Sequence, residues 1–171
     1  MTLPIEPRPR RAADPCDMIL PMAQHGGSFH RETSTHSAEE TFQFGFTLGR
    51  SLAFPRKILL FGELGVGKTV LAKGVVCGLG VEDPDDIVSP SFTLIQEYRV
   101  NDRIVHHVDL YRVDDPREIE GLGLEELLLD DTLYVIVEWA EKLSLAEIPD
   151  SIYIHLQDLG GDNRAIQVES R

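Results

Sequence analysis

The chain is poor in basic residues for its size. Its 171 residues include 16 Lys and Arg against 29 Asp and Glu, which gives a formal net charge of −13 at pH 7. Such a chain lacks the broad basic surface that supplies most of the free energy for binding a phosphate backbone. We therefore expect any nucleic acid in its biology to be reached through a partner protein.

Long apolar runs and a cysteine framework are also missing. No apolar stretch approaches the roughly 18 residues that a membrane-spanning helix needs, and the N-terminus lacks the apolar centre of a signal peptide. Cys16 and Cys77 lie in a proline-rich segment and in a helical pattern, so they supply no disulfide framework. These absences predict a cytoplasmic protein without a membrane association. Hydrophobic residues still make up 42% of the chain, which is enough for a packed core.

The first 35 residues differ in composition from the rest. They carry five prolines and the basic residues Arg8, Arg10 and Arg11, without a sustained apolar face. We interpret residues 1–35 as a flexible N-terminal tail. Residues 36–171 are then one folded domain, because about 150 residues are typical of a single domain.

Helical and strand-like patterns alternate after the tail. Ser37 to Glu40 has the capping-box pattern that begins a helix, and a second helical pattern runs from Lys68 to Gly80. Strands are predicted at residues 57–62, 92–100, 104–111, 133–137, 151–157 and 164–169, and short helices at residues 116–129. We interpret the last two strands as edge strands around a turn at residues 160–163. The pattern predicts an α/β fold with some antiparallel strand pairs.

A glycine-rich segment between the first predicted strand and the second helix matches G-x-x-x-x-G-K-[ST]. It reads Gly62-Glu63-Leu64-Gly65-Val66-Gly67-Lys68-Thr69. In such a loop the glycines let backbone N–H groups converge on a phosphate, the lysine reaches the β- and γ-phosphates, and the threonine hydroxyl binds Mg²⁺. The position between a buried strand and a helix is the one that this mechanism needs. The segment therefore predicts a nucleoside triphosphate site.

Two acidic residues stand at the ends of apolar strands. Asp109 follows residues 104–108 and Glu138 follows residues 134–137. Beside a phosphate loop they are candidates for the Mg²⁺ ligand and for the group that positions a water molecule. Trp139, the only tryptophan, is either ordinary packing or part of the lining of this site.

Two further segments leave alternatives open. Residues 89–93 are either a turn or a switch segment whose hydroxyls sense the γ-phosphate. His106 and His107 are neighbours on a predicted strand and point to opposite faces, which argues against chelation of one metal by both. We expect a structural role for at least one of the two histidines.

Four motifs follow one another along the chain. After the phosphate loop come Ser89-Pro90-Ser91-Phe92-Thr93-Leu94-Ile95-Gln96-Glu97-Tyr98, then His107-Val108-Asp109-Leu110-Tyr111-Arg112, then Val137-Glu138-Trp139. With these motifs the sequence resembles the TsaE (YjeE) family, small bacterial ATPases required for threonylcarbamoyladenosine modification of tRNA. The resemblance covers the chain from Ser37 to its C-terminus, and only the tail lies outside it.

The resemblance implies a fold, cofactors, partners and residue roles. The fold is a P-loop NTPase-like three-layer α/β domain with a mixed sheet, which binds ATP and Mg²⁺ and hydrolyses ATP slowly by itself. The partners are TsaB and TsaD, and tRNA is reached only through them. Lys68 would contact phosphates, Thr69 and Glu138 would hold Mg²⁺, and Asp109 would support hydrolysis.

Weaker assignments complete the implied site. Trp139 would line the site or a partner surface, and Ser37 and Arg164 are candidates for contacts to the nucleoside. Ser91 stands where a threonine is common in the family.

Two other classes of P-loop protein compete with this interpretation. A small-molecule kinase would use an arginine-bearing lid over the transferred phosphoryl group, and no such helical lid is evident in the sequence. A regulatory GTPase would carry an Asn-Lys-x-Asp segment that reads guanine, which the sequence lacks. The kinase remains the alternative to an accessory ATPase.

Overall fold

Helices cover both faces of a seven-stranded sheet in the computed structural model, which describes residues 29–52, 55–143, 148 and 150–170. The strands are β1 (Phe29–Thr35), β2 (Lys57–Phe61), β3 (Ile95–Val100), β4 (Arg103–Asp109), β5 (Tyr134–Glu138), β6 (Ser151–Gly160) and β7 (Asn163–Ser170). The α-helices are α1 (Ala38–Ser51), α2 (Lys68–Leu79), α3 (Pro116–Gly121) and α4 (Leu124–Leu129). Within the described residues, no helix is long and apolar enough to cross a bilayer.

The sheet is mixed. Its strand order is β1-β7-β6-β2-β5-β4-β3, with parallel pairing from β6 through β2 and β5 to β4. The flanking pairs β1–β7, β7–β6 and β4–β3 are antiparallel. Because the central strands are parallel, β2, β4 and β5 end at the same edge of the sheet, where their polar residues meet. This arrangement confirms the predicted single-domain α/β fold with a mixed sheet.

The core is divided into two layers by the sheet. Side chains alternate along β2, so Ile58 and Leu60 join the cluster beneath α1 and α2, while Leu59 joins the cluster beneath α4. All three side chains are buried. Strand β2 is therefore covered on both faces, as its near-continuous apolar run predicts.

Helices α1 and α2 approach each other through glycines on both sides. A Cβ atom placed on Gly45 would lie 2.3 Å from the carbonyl oxygen of Leu71, and one placed on Gly74 would lie 2.2 Å from that of Phe42. Both distances are shorter than any side chain tolerates, so only glycine permits this contact. The close packing fixes α2, the helix that follows the phosphate loop, against the rest of the domain.

Two predictions at one edge of the sheet are wrong. Residues 29–35, which we assigned to the flexible tail, form β1 and pair with β7 along their whole length. As a result β6 and β7 are interior strands rather than edge strands. Strand β1 is mostly polar, so its register comes from β7 and not from an apolar periodicity of its own. Residues 1–28, the rest of the predicted tail, lie outside the described residues.

Candidate nucleotide-binding site

The phosphate loop occupies residues 62–67, between the end of β2 and the start of α2. Gly62 and Gly67 have φ values of 136° and 108°, in the region that L side chains rarely adopt. Gly67 is also the N-cap residue of α2 and has no side chain to cap the helix. The backbone N–H groups of the first turn of α2 are therefore left for a ligand, which is the property of an anion-binding helix N-terminus.

A cavity of about 470 Å³ opens in front of this loop. Its volume lies within the range of about 300–1,000 Å³ that is usual for small-molecule sites. The predicted site residues that line it are Leu64, Gly65, Gly67, Lys68, Thr69, Asp109, Glu138 and Trp139. Residues from the loop after β2, from α2 and from the ends of β4 and β5 thus meet at one edge of the sheet, as the parallel order of the strands requires.

Thr69 and Glu138 form the oxygen pair of the site. Thr69 Oγ1 donates a hydrogen bond of 2.7 Å to Oε2 of Glu138, which is only 1% exposed. A hydroxyl and a carboxylate are hard oxygen ligands of the kind that Mg²⁺ prefers, and Mg²⁺ commonly takes one or two protein ligands beside phosphate and water oxygens. Among the described residues no group of three or more His, Cys, Asp and Glu forms a self-sufficient metal cage. The pair therefore fits a Mg²⁺ ion that arrives with a nucleotide.

Asp109 lies beside this pair and is tied to the segment at residues 89–93. It is the register partner of Glu138 across β4 and β5. Its Oδ2 accepts a hydrogen bond of 2.6 Å from Ser91 Oγ, and its Oδ1 accepts one of 2.9 Å from the backbone N–H of Tyr111. Asp109 thus connects the edge of the sheet to a loop that reaches the surface.

Lys68 is buried at the first position of α2. Its ammonium donates hydrogen bonds of 2.6 and 2.8 Å to the carbonyl oxygens of Gly62 and Glu63, and it lies 3.8 Å from the ring centre of Trp139. Burial lowers the pKa of Lys68, while the negative charges of Glu141, Glu138 and Asp109 oppose that shift. The phosphate loop therefore already holds its own cation in place.

Four predicted site residues do not line the cavity: Ser37, Glu63, Val66 and Arg164. Ser37 caps α1, because its Oγ accepts a hydrogen bond of 3.0 Å from the N–H of Glu40. Arg164 Nε donates a hydrogen bond of 2.9 Å to the carbonyl oxygen of Val66, which ties the β6–β7 hairpin to the phosphate loop. Contacts of Ser37 and Arg164 to a nucleoside stay a prediction.

Several residues of the site were missed from the sequence. Phe92, Tyr111 and Arg112 also line the cavity, and the Arg112 guanidinium lies 4.1 Å from the ring centre of Phe92. His107 Nε2 lies 2.9 Å from Glu138 Oε1. A signal for His107 was present, since a residue two positions before Asp109 on one strand points to the same face as Asp109.

Comparisons with known proteins agree with one another. The family described as "Threonylcarbamoyl adenosine biosynthesis protein TsaE" matches residues 35–166. A Rickettsia conorii protein named tRNA threonylcarbamoyladenosine biosynthesis protein TsaE is 33% identical over 136 residues, which are 78% of this chain and 74% of the relative. A Nostoc sp. protein of the same name is 39% identical over 134 residues, 77% of this chain and 79% of the relative. The crystal structure of Bacillus subtilis YdiB superposes with a TM-score of 0.63 at 29% identity, covering 84% of this chain and 87% of that one.

Proposed function

The chain belongs to the TsaE family of threonylcarbamoyladenosine biosynthesis proteins, and on this premise we propose that it is an accessory ATPase of tRNA modification. In this proposal it binds ATP with Mg²⁺, hydrolyses ATP weakly alone, and acts on the TsaB–TsaD complex, which carries the tRNA. The hydrogen bond between Thr69 and Glu138 in front of the phosphate loop carries the proposal, because it places an oxygen pair suited to Mg²⁺ where the phosphates of a nucleotide would lie.

The phosphate loop and Lys68 bind the triphosphate. The first N–H groups of α2 have no side-chain cap, its first residues line the cavity, and a helix N-terminus favours negative charge. The Lys68 ammonium is held on the loop by two carbonyl oxygens, so its charge is in place before a ligand binds. Preorganised charge of this kind stabilises phosphates without a rearrangement at the moment of reaction.

Thr69, Glu138 and Asp109 serve the hydrolytic step. Thr69 and Glu138 would hold Mg²⁺, which with ATP supplies a polarised phosphoanhydride bond for attack by water. Asp109 orients that water as a hydrogen-bond acceptor. Its Oδ1 accepts one hydrogen bond from the protein and its Oδ2 accepts two, from Ser91 and Ser89, and a carboxylate offers about four lone-pair sites, so acceptor capacity remains.

The rim of the cavity suits a protein partner. Leu64 and Phe92 are 69% and 82% exposed, and both line the cavity that would hold the nucleotide. Neighbouring exposed apolar side chains are typical of interaction surfaces. Phe92 directly follows Ser91, which donates a hydrogen bond to Asp109, so the rim is one residue away from a contact with the carboxylate proposed to orient water. We therefore assign the rim to contact with TsaB–TsaD.

The acidic chain fits this division of labour. With a net charge of −13 the protein has little means of holding tRNA itself, and its partners supply that contact. Incubation of the protein with ATP, GTP and a panel of metabolites tests the proposal against its alternatives. Weak hydrolysis of ATP that rises when TsaB and TsaD are added supports it. A phosphorylated metabolite would identify a kinase, and a preference for GTP would identify a switch protein.

A further inference from the structure

The Glu138 carboxylate is held from two sides inside the protein. Its Oε2 accepts a hydrogen bond of 2.7 Å from Thr69, and its Oε1 lies 2.9 Å from Nε2 of His107. The side chain of His107 is fully buried and that of Glu138 is 2% exposed. Water therefore does not compete for Oε1, and the histidine alone restrains that oxygen among the described residues.

The chemistry of the pair determines which atom carries the proton. A carboxylate oxygen can only accept a hydrogen bond, so Nε2 of His107 carries the hydrogen and donates a hydrogen bond to Oε1. The other ring nitrogen, Nδ1, is buried and has no hydrogen-bond partner in the part of the chain that the structure describes. A buried ring that leaves one nitrogen unpaired is a poor choice for stability, because such a nitrogen costs free energy of desolvation. Within the described part of the chain, the one polar contact of the His107 side chain is with Glu138.

We propose that His107 is a positioning residue for the Mg²⁺ site. By occupying Oε1 it prevents rotation of the carboxylate, so that Oε2 faces Thr69, where the two side chains would hold the metal. This inference rests on the proposed function, in which Thr69 and Glu138 hold Mg²⁺. Hydrogen bonds to a ligating side chain commonly orient it and tune metal affinity in this way.

The chain supplies a matched control in the preceding residue. His106 lies on the same strand, points to the opposite face, and also has a buried Nδ1 without a partner among the described residues. Its register partners are Glu97 on β3 and Val135 on β5, three positions before the pair of Asp109 and Glu138. A substitution of His106 therefore removes a partly buried imidazole from β4 without removing the contact with Glu138.

Substitution of His107 by glutamine or by asparagine separates its effect on the orientation of Glu138 from its effect on packing in the core. The amide nitrogen of glutamine reaches about as far as Nε2, whereas that of asparagine reaches only as far as Nδ1. His107→Gln keeps a donor for Oε1, and His107→Asn does not, although both place a neutral amide in the core. His107→Leu removes the donor altogether.

The experiment measures Mg²⁺ affinity apart from catalysis. ATP is bound to the wild-type protein, His107→Leu, His107→Asn, His107→Gln and His106→Leu, and Mg²⁺ is titrated calorimetrically, with Mn²⁺ followed by electron paramagnetic resonance as a second probe. ATP affinity in a chelator and the melting temperature are measured for each protein. We expect His107→Leu and His107→Asn to lose about tenfold or more in metal affinity, with unchanged ATP affinity in the chelator. His107→Gln and His106→Leu should keep the wild-type metal affinity.

Two results would overturn the inference. One is wild-type metal affinity in His107→Asn, and the other is a loss in His107→Gln as large as that in His107→Asn. If His107→Leu does not fold, the comparison of the two amides still decides. If ATP binding by the wild-type protein does not depend on Mg²⁺, the Thr69–Glu138 metal site itself is refuted. Failure of the His107 inference and failure of the proposed metal site are therefore distinguishable.

Discussion

The ammonium nitrogen of Lys68 lies 3.8 Å from the centre of the Trp139 ring, so the lysine of the phosphate loop and the only tryptophan of the chain are in direct contact. A cation over an indole face is held electrostatically by the ring. Both residues line the cavity. Because the chain has no other tryptophan, its tryptophan fluorescence comes from Trp139 alone and reports on the Lys68 charge beside that ring.

Lys68→Ala should weaken ATP binding by about 10- to 100-fold, because a charge-assisted contact to phosphate is worth about 1.5–3 kcal/mol. Arg112, the other cation that lines the cavity, lies against the ring of Phe92 rather than on the phosphate loop. Calorimetric titration with ATP and Mg²⁺ measures the loss, and the fluorescence change of Trp139 on ATP addition should be reduced in parallel. Unchanged affinity would contradict the assignment of the phosphate loop.

Glu138→Gln and Asp109→Asn should separate binding from turnover. Both substitutions keep the shape of the side chain and remove the negative charge that holds Mg²⁺ or orients water. We expect ATP binding to persist and hydrolysis to fall by about 100-fold or more in at least one variant. Hydrolysis is measured in the presence of TsaB and TsaD, and wild-type rates in both variants would exclude these carboxylates from the site.

Phe92→Ala should weaken the complex with TsaB–TsaD while leaving ATP affinity of the free protein nearly intact. Phe92 is exposed at the rim of the cavity and its ring meets the Arg112 guanidinium, so its removal takes apolar contact area from the rim. Leu129→Ala is the matched control, since Leu129 is 60% exposed but lies at the end of α4 and does not line the cavity. A pull-down with and without ATP compares the two, and equal retention of the complex would argue against the rim.

Gly74→Ala should lower the free energy of unfolding by about 1–3 kcal/mol, because the added methyl group meets backbone atoms of α1 that cannot move aside. Gly121→Ala is the control: a Cβ atom there has nothing within 4 Å. We expect the control to change stability by less than about 1 kcal/mol. Urea unfolding followed by Trp139 fluorescence measures both, and equal stabilities would mean that α1 and α2 separate more easily than the structure implies.

Local patterns predicted most of the elements that build the site. The apolar run of β2, the phosphate loop and the start of α2 are signals contained in a few neighbouring residues, and each lies where the sequence indicates. The S-x-x-E pattern likewise placed Ser37 at the N-cap of α1. The Glu40 carboxylate, however, accepts a hydrogen bond from the backbone N–H of His36 rather than from that of Ser37.

Features that depend on distant parts of the chain were not predictable in this way. Strand β1 acquires its register from β7, and Arg164 meets Val66 across 98 positions of sequence. The contact of His107 with Glu138 requires the register between β4 and β5, which no local pattern contains. The sequence therefore predicted two carboxylates that line the cavity, but not the side chains that contact them.

Reconstituted tRNA modification, with ATP hydrolysis followed in the same reaction, tests the proposed function most directly. The mixture contains TsaB, TsaD, tRNA, ATP, Mg²⁺ and a threonylcarbamoyl donor, with or without this protein. We expect slow hydrolysis by the protein alone, faster hydrolysis with the partners, and sustained threonylcarbamoyladenosine formation only when wild-type protein rather than Lys68→Ala is present. Full tRNA modification without the protein, together with a rate of ATP hydrolysis that does not change when TsaB and TsaD are added, would contradict the proposal.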